Sequence, residues 1–262
     1  MLRKVWTIAQ AGLNPLLVGP AGTGKTMVSE QLAQLLRVPF GSISCTAGMS
    51  ESQLTGWLLP VGEAGKFDYV PSPFVQCLEM PSVFLLDEID AADPNVLLLM
   101  NSVLSNGFLT VPHKLQNPTV RRHVRSIIVA GANTIGGADE IYSARMPLDG
   151  ATEDRFYPIV VDYDESYEKS LFVVSGQKKR TRSAQWKPSP VVCDQPMMEQ
   201  AQEWFLALRK NANRAKIGRI VSTRLAQRLT AAMRAGVPMD EAKADLLAGW
   251  TTDERARAQA GV

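Results

Sequence analysis

Short apolar runs alternate with segments of helical periodicity between residues 14 and 162. Each run is bounded by glycine, proline or polar residues, as buried strands are. The predicted strands are residues 16–18, 40–44, 83–86, 126–130 and 157–161. Strands that alternate with helices are typical of βαβ units, in which helices cover both faces of a parallel sheet. The pattern therefore predicts an α/β domain with three αβα layers.

Two helices between these strands have recognisable boundaries. Residues 26–36 place apolar side chains at helical spacing, and this segment ends before Pro39. A second helix is predicted to begin after Asp93, with Pro94 in its first turn, and to end at Gly107. Both helices lie where connections between parallel strands are expected.

Two stretches interrupt the alternation and are interpreted as inserted hairpins. Residues 57–69 are apolar at both ends around a turn signal at 62–65. Residues 108–124 have a polar tip at 116–118 and come just before a predicted strand. Plain loops are the alternative for either stretch.

The composition changes after Ser175. Residues 176–190 contain a basic stretch, Lys178–Arg182, and two prolines, which is typical of an exposed linker. Beyond it, three segments have helical periodicity: 197–210, 222–235 and 239–250. The predicted organisation is a core over 1–175, a linker over 176–190 and a small all-α subdomain over 191–262.

Composition limits the classes of function. The chain of 262 residues is 45% apolar and 21% charged, which favours an ordinary globular protein of one or two domains and argues against disorder or a coiled-coil rod. The net charge of +2 gives no general reason to expect nucleic acid as a partner. Cys45, Cys77 and Cys193 form no C-x-x-C pair, so we expect core thiols and neither disulfides nor a zinc site. The only metal expected is one that accompanies a nucleotide.

No apolar run approaches the ~18 residues of a membrane span, and the first residues lack the apolar stretch of a signal peptide. We therefore expect a cytoplasmic protein with no membrane partner.

One motif points to phosphate. Eight residues fit the pattern G-x-x-x-x-G-K-[ST] between a predicted strand and a predicted helix: Gly19, Pro20, Ala21, Gly22, Thr23, Gly24, Lys25 and Thr26. Glycines let backbone N–H groups turn inward around an anion, and the helix adds the positive end of its dipole. Lys25 would bind the β- and γ-phosphates of ATP, and the Thr26 hydroxyl would be a ligand of Mg²⁺. A structural glycine turn is the alternative.

A second motif supplies acids. The apolar strand at 83–86 ends in Asp87 and Glu88, and adjacent residues of a strand point in opposite directions. Asp87 could therefore hold the magnesium shell while Glu88 acts as general base toward the attacking water. Asp90 is interpreted as a capping or structural acid.

Three further polar residues are candidates. Asn133 follows the strand at 126–130, where it could orient the attacking water or only form a turn. Arg155 could stabilise the γ-phosphate of a neighbouring subunit in trans, or form a surface ion pair with Glu153 or Asp154. Arg224, at the start of a helix, could sense the γ-phosphate or be solvated.

Together these motifs resemble the AAA+ ATPases, P-loop NTPases with a helical lid. The finer resemblance is to the MoxR branch, of the dynein-related type, and within it to CobS-like members that include phage and prophage ATPases. Four segments carry it: YVPSPFV (69–75), DEIDAADPN (87–95), GANT (131–134) and LDGATEDRF (148–156). The resemblance covers about 16–167 with specific motifs, and residues from 221 onward more loosely.

The resemblance implies a homo-oligomer, a hexameric ring with ATP between subunits and Arg155 as the finger. It raises Arg145 to a second interface candidate and Arg224 to a sensor-2 candidate. The hairpins would face the pore or a partner, and members of the branch remodel proteins, often with a partner that has a von Willebrand factor A domain; chelatase members insert metals.

Two features depart from this family pattern. The segment before the first strand is short, which leaves contacts with the adenine to residues such as Val5 and Trp6. The basic stretch at Lys178–Arg182 is outside the family pattern and is interpreted as a solvated linker, with contact to DNA as the alternative.

The leading hypothesis is an ATP-hydrolysing ring motor that remodels a protein partner. The alternatives are a nucleotide-gated switch with slow turnover and a DNA-directed ATPase.

Overall fold

The computed structural model describes residues 1–62, 65–134, 148–174 and 193–260. The chain divides into two compact units. The first unit comprises Met1–Pro20 and Gly24–Val161, and the second comprises Ala21–Thr23 and Asp162–Val262.

The first unit alternates strands and helices. Its elements in chain order are α1 (Leu2–Gln10), β1 (Asn14–Val18), α2 (Lys25–Leu36), β2 (Phe40–Ser44), α3 (Glu51–Thr55), β3 (Trp57–Pro60), β4 (Phe67–Val70), α4 (Pro73–Leu78), β5 (Ser82–Asp87), a 3-10 helix (Ile89–Ala91), α5 (Pro94–Asn106), β6 (Phe108–Thr110), β7 (Thr119–Arg121), β8 (Ser126–Ala132), α6 (Gly150–Glu153) and β9 (Phe156–Val160).

Five of these strands form one parallel sheet in the order β2-β5-β8-β1-β9. Alternate residues of the strands enter two apolar clusters on opposite faces of the sheet. Phe84 and Leu86 pack in one cluster with side chains of α3, α4 and α5, whereas Val83 and Leu85 pack in the other with side chains of α1 and α2. Strands buried on both faces are apolar at every position, which explains the short continuous runs. The predicted three-layer αβα fold is confirmed.

Helix α1 was not among the predicted elements. Its Val5 is 0% exposed and packs with Leu17 and Leu32, while Trp6 is half-buried against the same cluster. Val5, which was expected to contact adenine, therefore belongs to the core in this structure.

Both interrupting stretches contain antiparallel strand pairs. Strand β3 pairs with β4 from Trp57 opposite Val70 to Pro60 opposite Phe67, and β6 pairs with β7 over three residues. Residues 63 and 64, in the predicted turn of the first hairpin, lie outside the described residues.

The second unit is helical. Its elements are α7 (Glu165–Leu171), α8 (Gln195–Arg214), α9 (Thr223–Ala235), α10 (Met239–Leu246) and α11 (Thr252–Ala258). Phe205, Leu208, Leu229 and Met233 form the centre of its core at 0% exposure. The predicted helical subdomain is present, and α7 groups with it although the sequence placed residues up to 175 in the core.

The helix predicted at 239–250 ends earlier in the structure. Helix α10 ends at Leu246, and a separate helix α11 follows that the periodicity did not reveal. The predicted linker at 176–190, with its basic stretch Lys178–Arg182, lies outside the described residues.

The three cysteines are free thiols; Cys45 and Cys77 are buried and Cys193 is half-buried. Among the helices that the structure describes, none combines the length and the apolar character needed to cross a bilayer.

Candidate functional site

Three adjacent strands bring polar residues to one edge of the sheet. Strand β1 leads into the glycine-rich loop, β5 ends at Asp87, and β8 ends one residue before Asn133. Because the strands are parallel, their carboxyl ends share an edge, which is where ligands bind in open α/β sheets. The fold therefore brings together motifs that are more than a hundred residues apart in the sequence.

The glycine-rich loop turns sharply into helix α2. Gly22 and Gly24 have φ values of 83° and 90°, and Gly24 is the N-cap of the helix. These left-handed conformations suit glycine and allow consecutive backbone N–H groups to turn toward one side. A glycine-rich turn that leads directly into a helix N-terminus favours the binding of an anion.

Lys25 is buried where this loop meets β8. The residue is 7% exposed, and its Nζ donates hydrogen bonds to the carbonyl oxygens of Gly19 (2.7 Å) and Pro20 (3.1 Å) and to Asn133 Oδ1 (3.0 Å). A buried ammonium group is tolerated only where acceptors surround it. The contact with Asn133 joins the loop to the end of β8.

Thr26 and Asp87 form a second contact between motifs. The Thr26 hydroxyl donates to Asp87 Oδ2 at 2.8 Å, and the backbone N–H of Glu88 donates to Asp87 Oδ1 at 3.1 Å. A hydroxyl oxygen and a carboxylate oxygen side by side are ligands of the kind that Mg²⁺ prefers.

Glu88 occupies a strained backbone conformation. Its φ of 57° and ψ of 40° lie in the left-handed region, and it is the N-cap of the 3-10 helix. For a residue other than glycine such a conformation costs free energy, and it occurs preferentially at functional sites. Since β5 ends at Asp87, this turn sets the direction of Glu88, and the expected strand alternation does not apply to it.

Asp90 has the structural role that the sequence suggested. Asp90 is 2% exposed, and its Oδ2 accepts hydrogen bonds from the backbone N–H of Asn133 (3.1 Å) and from the Thr134 hydroxyl (3.5 Å). It does not cap a helix, because the N-cap positions before and after it are taken by Glu88 and Asp93.

Gly131 is a site residue that the sequence did not single out. A Cβ at this position would lie 2.9 Å from Asp87 Oδ1, closer than real Cβ atoms approach their neighbours. The absence of a side chain therefore leaves room for the Asp87 carboxylate. Residue 131 lies next to Asp87 because the sheet pairs Leu86 with Ala130. This register is known only from the folded sheet, so no pattern in the sequence could have identified Gly131.

Cys45 lies behind the acids. Its backbone N–H donates to the Asp87 carbonyl oxygen at 2.8 Å, and its side chain is 0% exposed. Burial, reinforced by the charges of Asp87, Asp90 and Glu88, raises the pKa of the Cys45 thiol to about 12. The thiol is therefore neutral at physiological pH and unsuited to act as a nucleophile.

Arg155 lies at the end of α6 and contacts the first unit's own helices. Its Nε donates to Ser105 Oγ at 2.6 Å and its Nη1 donates to the Ala151 carbonyl oxygen. Within the described part of the chain, it makes no ion pair with Glu153 or Asp154, the alternative weighed from the sequence.

Asp149 begins the same helix. Its carboxylate accepts from the Thr152 backbone N–H and hydroxyl, and these bonds, with the charge of Arg155, lower the pKa of Asp149. Helix α6 thus presents Arg155 from a capped, ordered turn. Arg145, the second interface candidate, lies outside the described residues.

Arg224 belongs to the helical unit, in which its side chain is exposed in the first turn of α9. Loop residues Ala21–Thr23 group with this unit, and Arg224 Cγ lies 3.6 Å from the place of a Cβ on Gly22. The turn is anchored by Thr223, whose hydroxyl donates to Glu168 Oε1 at 2.5 Å.

Glu168 is 2% exposed and is paired with Arg209 at 2.6 Å and 2.8 Å. Arg209 also donates to the Val221 carbonyl oxygen at 2.8 Å. This buried network holds α7, α8 and the start of α9 together. It has no local signal in the sequence, because its members are 12 to 55 residues apart.

Comparison with known proteins places these features in a family. The sequence model described as AAA domain (dynein-related subfamily) matches residues 14–156, more than half of the chain. The match spans the glycine-rich loop, both acids of the second motif, Asn133 and Arg155.

Similar proteins occur in staphylococci. An uncharacterized protein of Staphylococcus epidermidis is 28% identical over 157 residues, which are 59% of this chain and 57% of that protein. One of Staphylococcus saprophyticus is 29% identical over 160 residues, 60% of this chain and 58% of that protein. The match spans less than two thirds of these relatives' own length.

Among solved structures, the chain is similar to a protein of Cytophaga hutchinsonii that has been provisionally named an ATPase. The TM-score is 0.50 at 18% identity, with 94% of this chain and 78% of that chain covered. At this identity the likeness supports the fold alone.

Proposed function

Because the chain belongs to the AAA family of the dynein-related subfamily, we propose that it binds ATP with Mg²⁺ and hydrolyses it to ADP and phosphate. The contacts that join Lys25 to Asn133 and Thr26 to Asp87 carry this proposal. They bring a cation, an amide, a hydroxyl and a carboxylate together beside the glycine-rich loop, which is suited to bind an anion. A nucleotide polyphosphate with a divalent cation is the ligand that such a set serves.

The oxygen donors fit the metal. Thr26 Oγ1 and Asp87 Oδ2 are hard ligands 2.8 Å apart, and we propose that these two residues hold Mg²⁺. When bound, the ion neutralises charge on the phosphate oxygens. Lys25 would bind the phosphates from the side of the glycine-rich loop.

Glu88 is the proposed general base. Water attacks the γ-phosphorus and passes a proton to the Glu88 carboxylate while the bond from the γ-phosphorus to the bridging oxygen of ADP breaks. Asn133 would orient the water. The strained backbone of Glu88 supports this role, because among the acids that the structure describes it is the one held in the left-handed region.

Catalysis in trans is the second part of the proposal. Arg155 would stabilise the charge that develops on the γ-phosphate of a neighbouring subunit, in a homo-oligomer that we propose is a hexameric ring. Its anchoring to Ser105 supports a defined placement of the guanidinium group. Arg145 is proposed as a further interface residue and Arg224 as a sensor of the γ-phosphate.

For the biological role, we propose a MoxR-type, CobS-like motor, as in phage-encoded members, that remodels a protein partner. The exposed apolar side chains of hairpin β3–β4 support a contact with protein: Trp57 is 39% exposed, Leu59 47% and Phe67 60%. Apolar groups on an exposed hairpin favour association with another protein surface. A protein with a von Willebrand factor A domain is the first partner to test.

The test combines nucleotide binding with phosphate release. Lys25→Ala should abolish binding of a fluorescent ATP analogue, whereas Glu88→Gln should bind it as well as the wild type and lose turnover, because only the base is removed. Glu79→Gln, which changes a surface carboxylate that pairs with Lys114, is the matched control and should behave as the wild type.

The outcomes separate the hypotheses. Wild-type turnover in Glu88→Gln removes its role as base, and absence of nucleotide binding by the wild type removes the proposed function. Turnover that is slow and unchanged by any partner favours the switch. Salt-dependent DNA binding that is lost when the basic residues of 178–182 are replaced favours the DNA-directed ATPase.

A further inference from the structure

Asp90 is a buried carboxylate that the proposed chemistry does not use. It is 2% exposed, and its Oδ2 accepts from the backbone N–H of Asn133 at 3.1 Å and from the Thr134 hydroxyl at 3.5 Å. A carboxylate is costly to bury unless hydrogen bonds compensate for lost water. These two bonds connect Asp90 to the two residues that follow β8.

The backbone at Asn133 lies past the sheet. The pairing of β1 with β8 ends at Val18 opposite Ala132, and the Ala132 carbonyl oxygen accepts from the Gly19 N–H. The backbone of residue 133 therefore lies beyond the hydrogen bonds that pair β1 with β8. Asp90 supplies an acceptor for its N–H at the point where the regular sheet stops.

The Asn133 side chain extends from this backbone position to Lys25. Asn133 Oδ1 accepts from Lys25 Nζ at 3.0 Å. An asparagine side chain has only two rotatable bonds, so within one side-chain rotamer a shift of the backbone carries the amide with it. Asp90, Asn133 and Lys25 form a continuous chain of hydrogen bonds from the acidic motif to the glycine-rich loop.

We propose that Asp90 is a positioning residue that holds the Asn133 side chain against Lys25 and, through that contact, sets the rate of ATP turnover. The effect on turnover rests on the proposed function, whereas the contact itself is a property of the protein without nucleotide. The two statements can therefore be tested separately.

The contact is tested by NMR on protein labelled with ¹⁵N-asparagine, without nucleotide. Loss of signals in Asn133→Ala identifies the backbone and side-chain amides of residue 133. In Asp90→Ala the backbone amide proton should move upfield, because a carboxylate acceptor is removed, and the side-chain amide signals should move with it. Asp93→Ala is the matched control, since Asp93 accepts from the Asn95 N–H within its own helix at 2.8 Å. Unmoved side-chain signals in Asp90→Ala overturn the proposal.

Turnover is tested by a double-mutant cycle of Asp90→Ala with Asn133→Ala. Misplacement of a catalytic group by about 1 Å costs on the order of 100-fold, so we expect kcat to fall about 10- to 100-fold in Asp90→Ala with little change in KM. In the Asn133→Ala background the same change should alter kcat less than about 2-fold, because no amide remains to be positioned. An equal fall in both backgrounds shows that Asp90 acts by another route and overturns the proposal.

Two further outcomes are decisive. If the wild type releases no phosphate, the proposed function fails. The NMR comparison still shows whether Asp90 holds the Asn133 side chain against Lys25. If Asp90→Ala does not fold, Asp90→Asn replaces it; this variant keeps an oxygen acceptor without charge, and such a bond is about half as strong. The Asn133 signals should then move in the same direction by a smaller amount, and unmoved signals overturn the proposal.

Discussion

Replacing Gly131 by alanine tests whether the Asp87 carboxylate must lie where it does. The added Cβ would lie 2.9 Å from Asp87 Oδ1, and the next closest atom, Asp87 Cγ, is at 3.8 Å. The collision is therefore confined to one side chain, and the rest of the sheet has room for the methyl group. Asp87 has to yield, and it is the residue we propose as a magnesium ligand.

The displacement can be worked out from the contact. Ordinary van der Waals contact begins at 3.4 Å, so the carboxylate oxygen must retreat by 3.4 − 2.9 = 0.5 Å. The colliding oxygen, Oδ1, accepts from the Glu88 N–H at 3.1 Å, and Oδ2 of the same rigid carboxylate accepts from the Thr26 hydroxyl at 2.8 Å, so the shift disturbs both bonds. Since about 1 Å of misplacement costs about 100-fold in rate, half of it should cost about 10-fold, or about 1.4 kcal/mol of transition-state stabilisation.

The assay is steady-state phosphate release at several Mg²⁺ concentrations. Gly131→Ala should lower kcat about 10-fold at low Mg²⁺ and recover part of it at high Mg²⁺, because a displaced carboxylate weakens metal binding. The thermal unfolding midpoint should change little, since alanine is favoured over glycine in a strand by about 0.5–1 kcal/mol, which offsets part of the strain.

Gly48→Ala is the control, because a Cβ there meets nothing within 4 Å. It should leave kcat and its Mg²⁺ dependence unchanged. Wild-type kcat in Gly131→Ala at limiting Mg²⁺ would refute the proposal that the placement of Asp87 matters. A uniform loss that no Mg²⁺ concentration relieves would show that the damage does not act through the metal.

Three other predictions follow from the contacts described. Arg155→Ala should bind ATP and lose turnover, and mixing it with Lys25→Ala subunits should restore some activity if the finger acts in trans; no recovery in mixed oligomers contradicts this. Arg209→Met should lower the free energy of unfolding by about 3 kcal/mol in urea titrations, because it leaves Glu168 charged and buried; replacing both residues by apolar ones should recover most of the loss. Cys45 should resist iodoacetamide at pH 8 until denaturant is added, because its raised pKa keeps it protonated; rapid labelling of the folded protein, mapped by mass spectrometry, would contradict this.

Much of the fold could be predicted because its signals are local. The run of apolar residues at 83–86 lies within β5 (Ser82–Asp87), and Asp93 and Gly107 cap α5 as expected. The spacing of Leu2, Val5 and Trp6 in α1 was also a helical signal, but a segment of nine residues at the start of a chain gives a weak pattern.

Contacts across the sheet could not be predicted. Gly131 next to Asp87 depends on the register of β5 against β8, and Asp90 reaches Asn133 over 43 residues of sequence. A motif identifies residue types that suit a chemistry, whereas distances between them follow from how the strands are ordered and aligned. For this reason Asp90 could be interpreted only as a capping or structural acid, and its hydrogen bond to Asn133 emerged only with the structure.

The contacts of the site form a closed ring of residues, so the catalytic effect cannot be divided among single residues. Lys25 bonds to Asn133, Asn133 bonds to Asp90, and Asp90 follows Asp87 by three residues along the chain. Asp87 in turn bonds to Thr26, the neighbour of Lys25 along the chain. A displacement at one member is therefore passed to the others, and residues that act as a unit have non-additive effects on kcat. The losses of kcat, expressed as free energies, should sum to more for the single substitutions than for the variant in which several members are replaced together. Strict additivity would show that these bonds do not couple the glycine-rich loop to the acids.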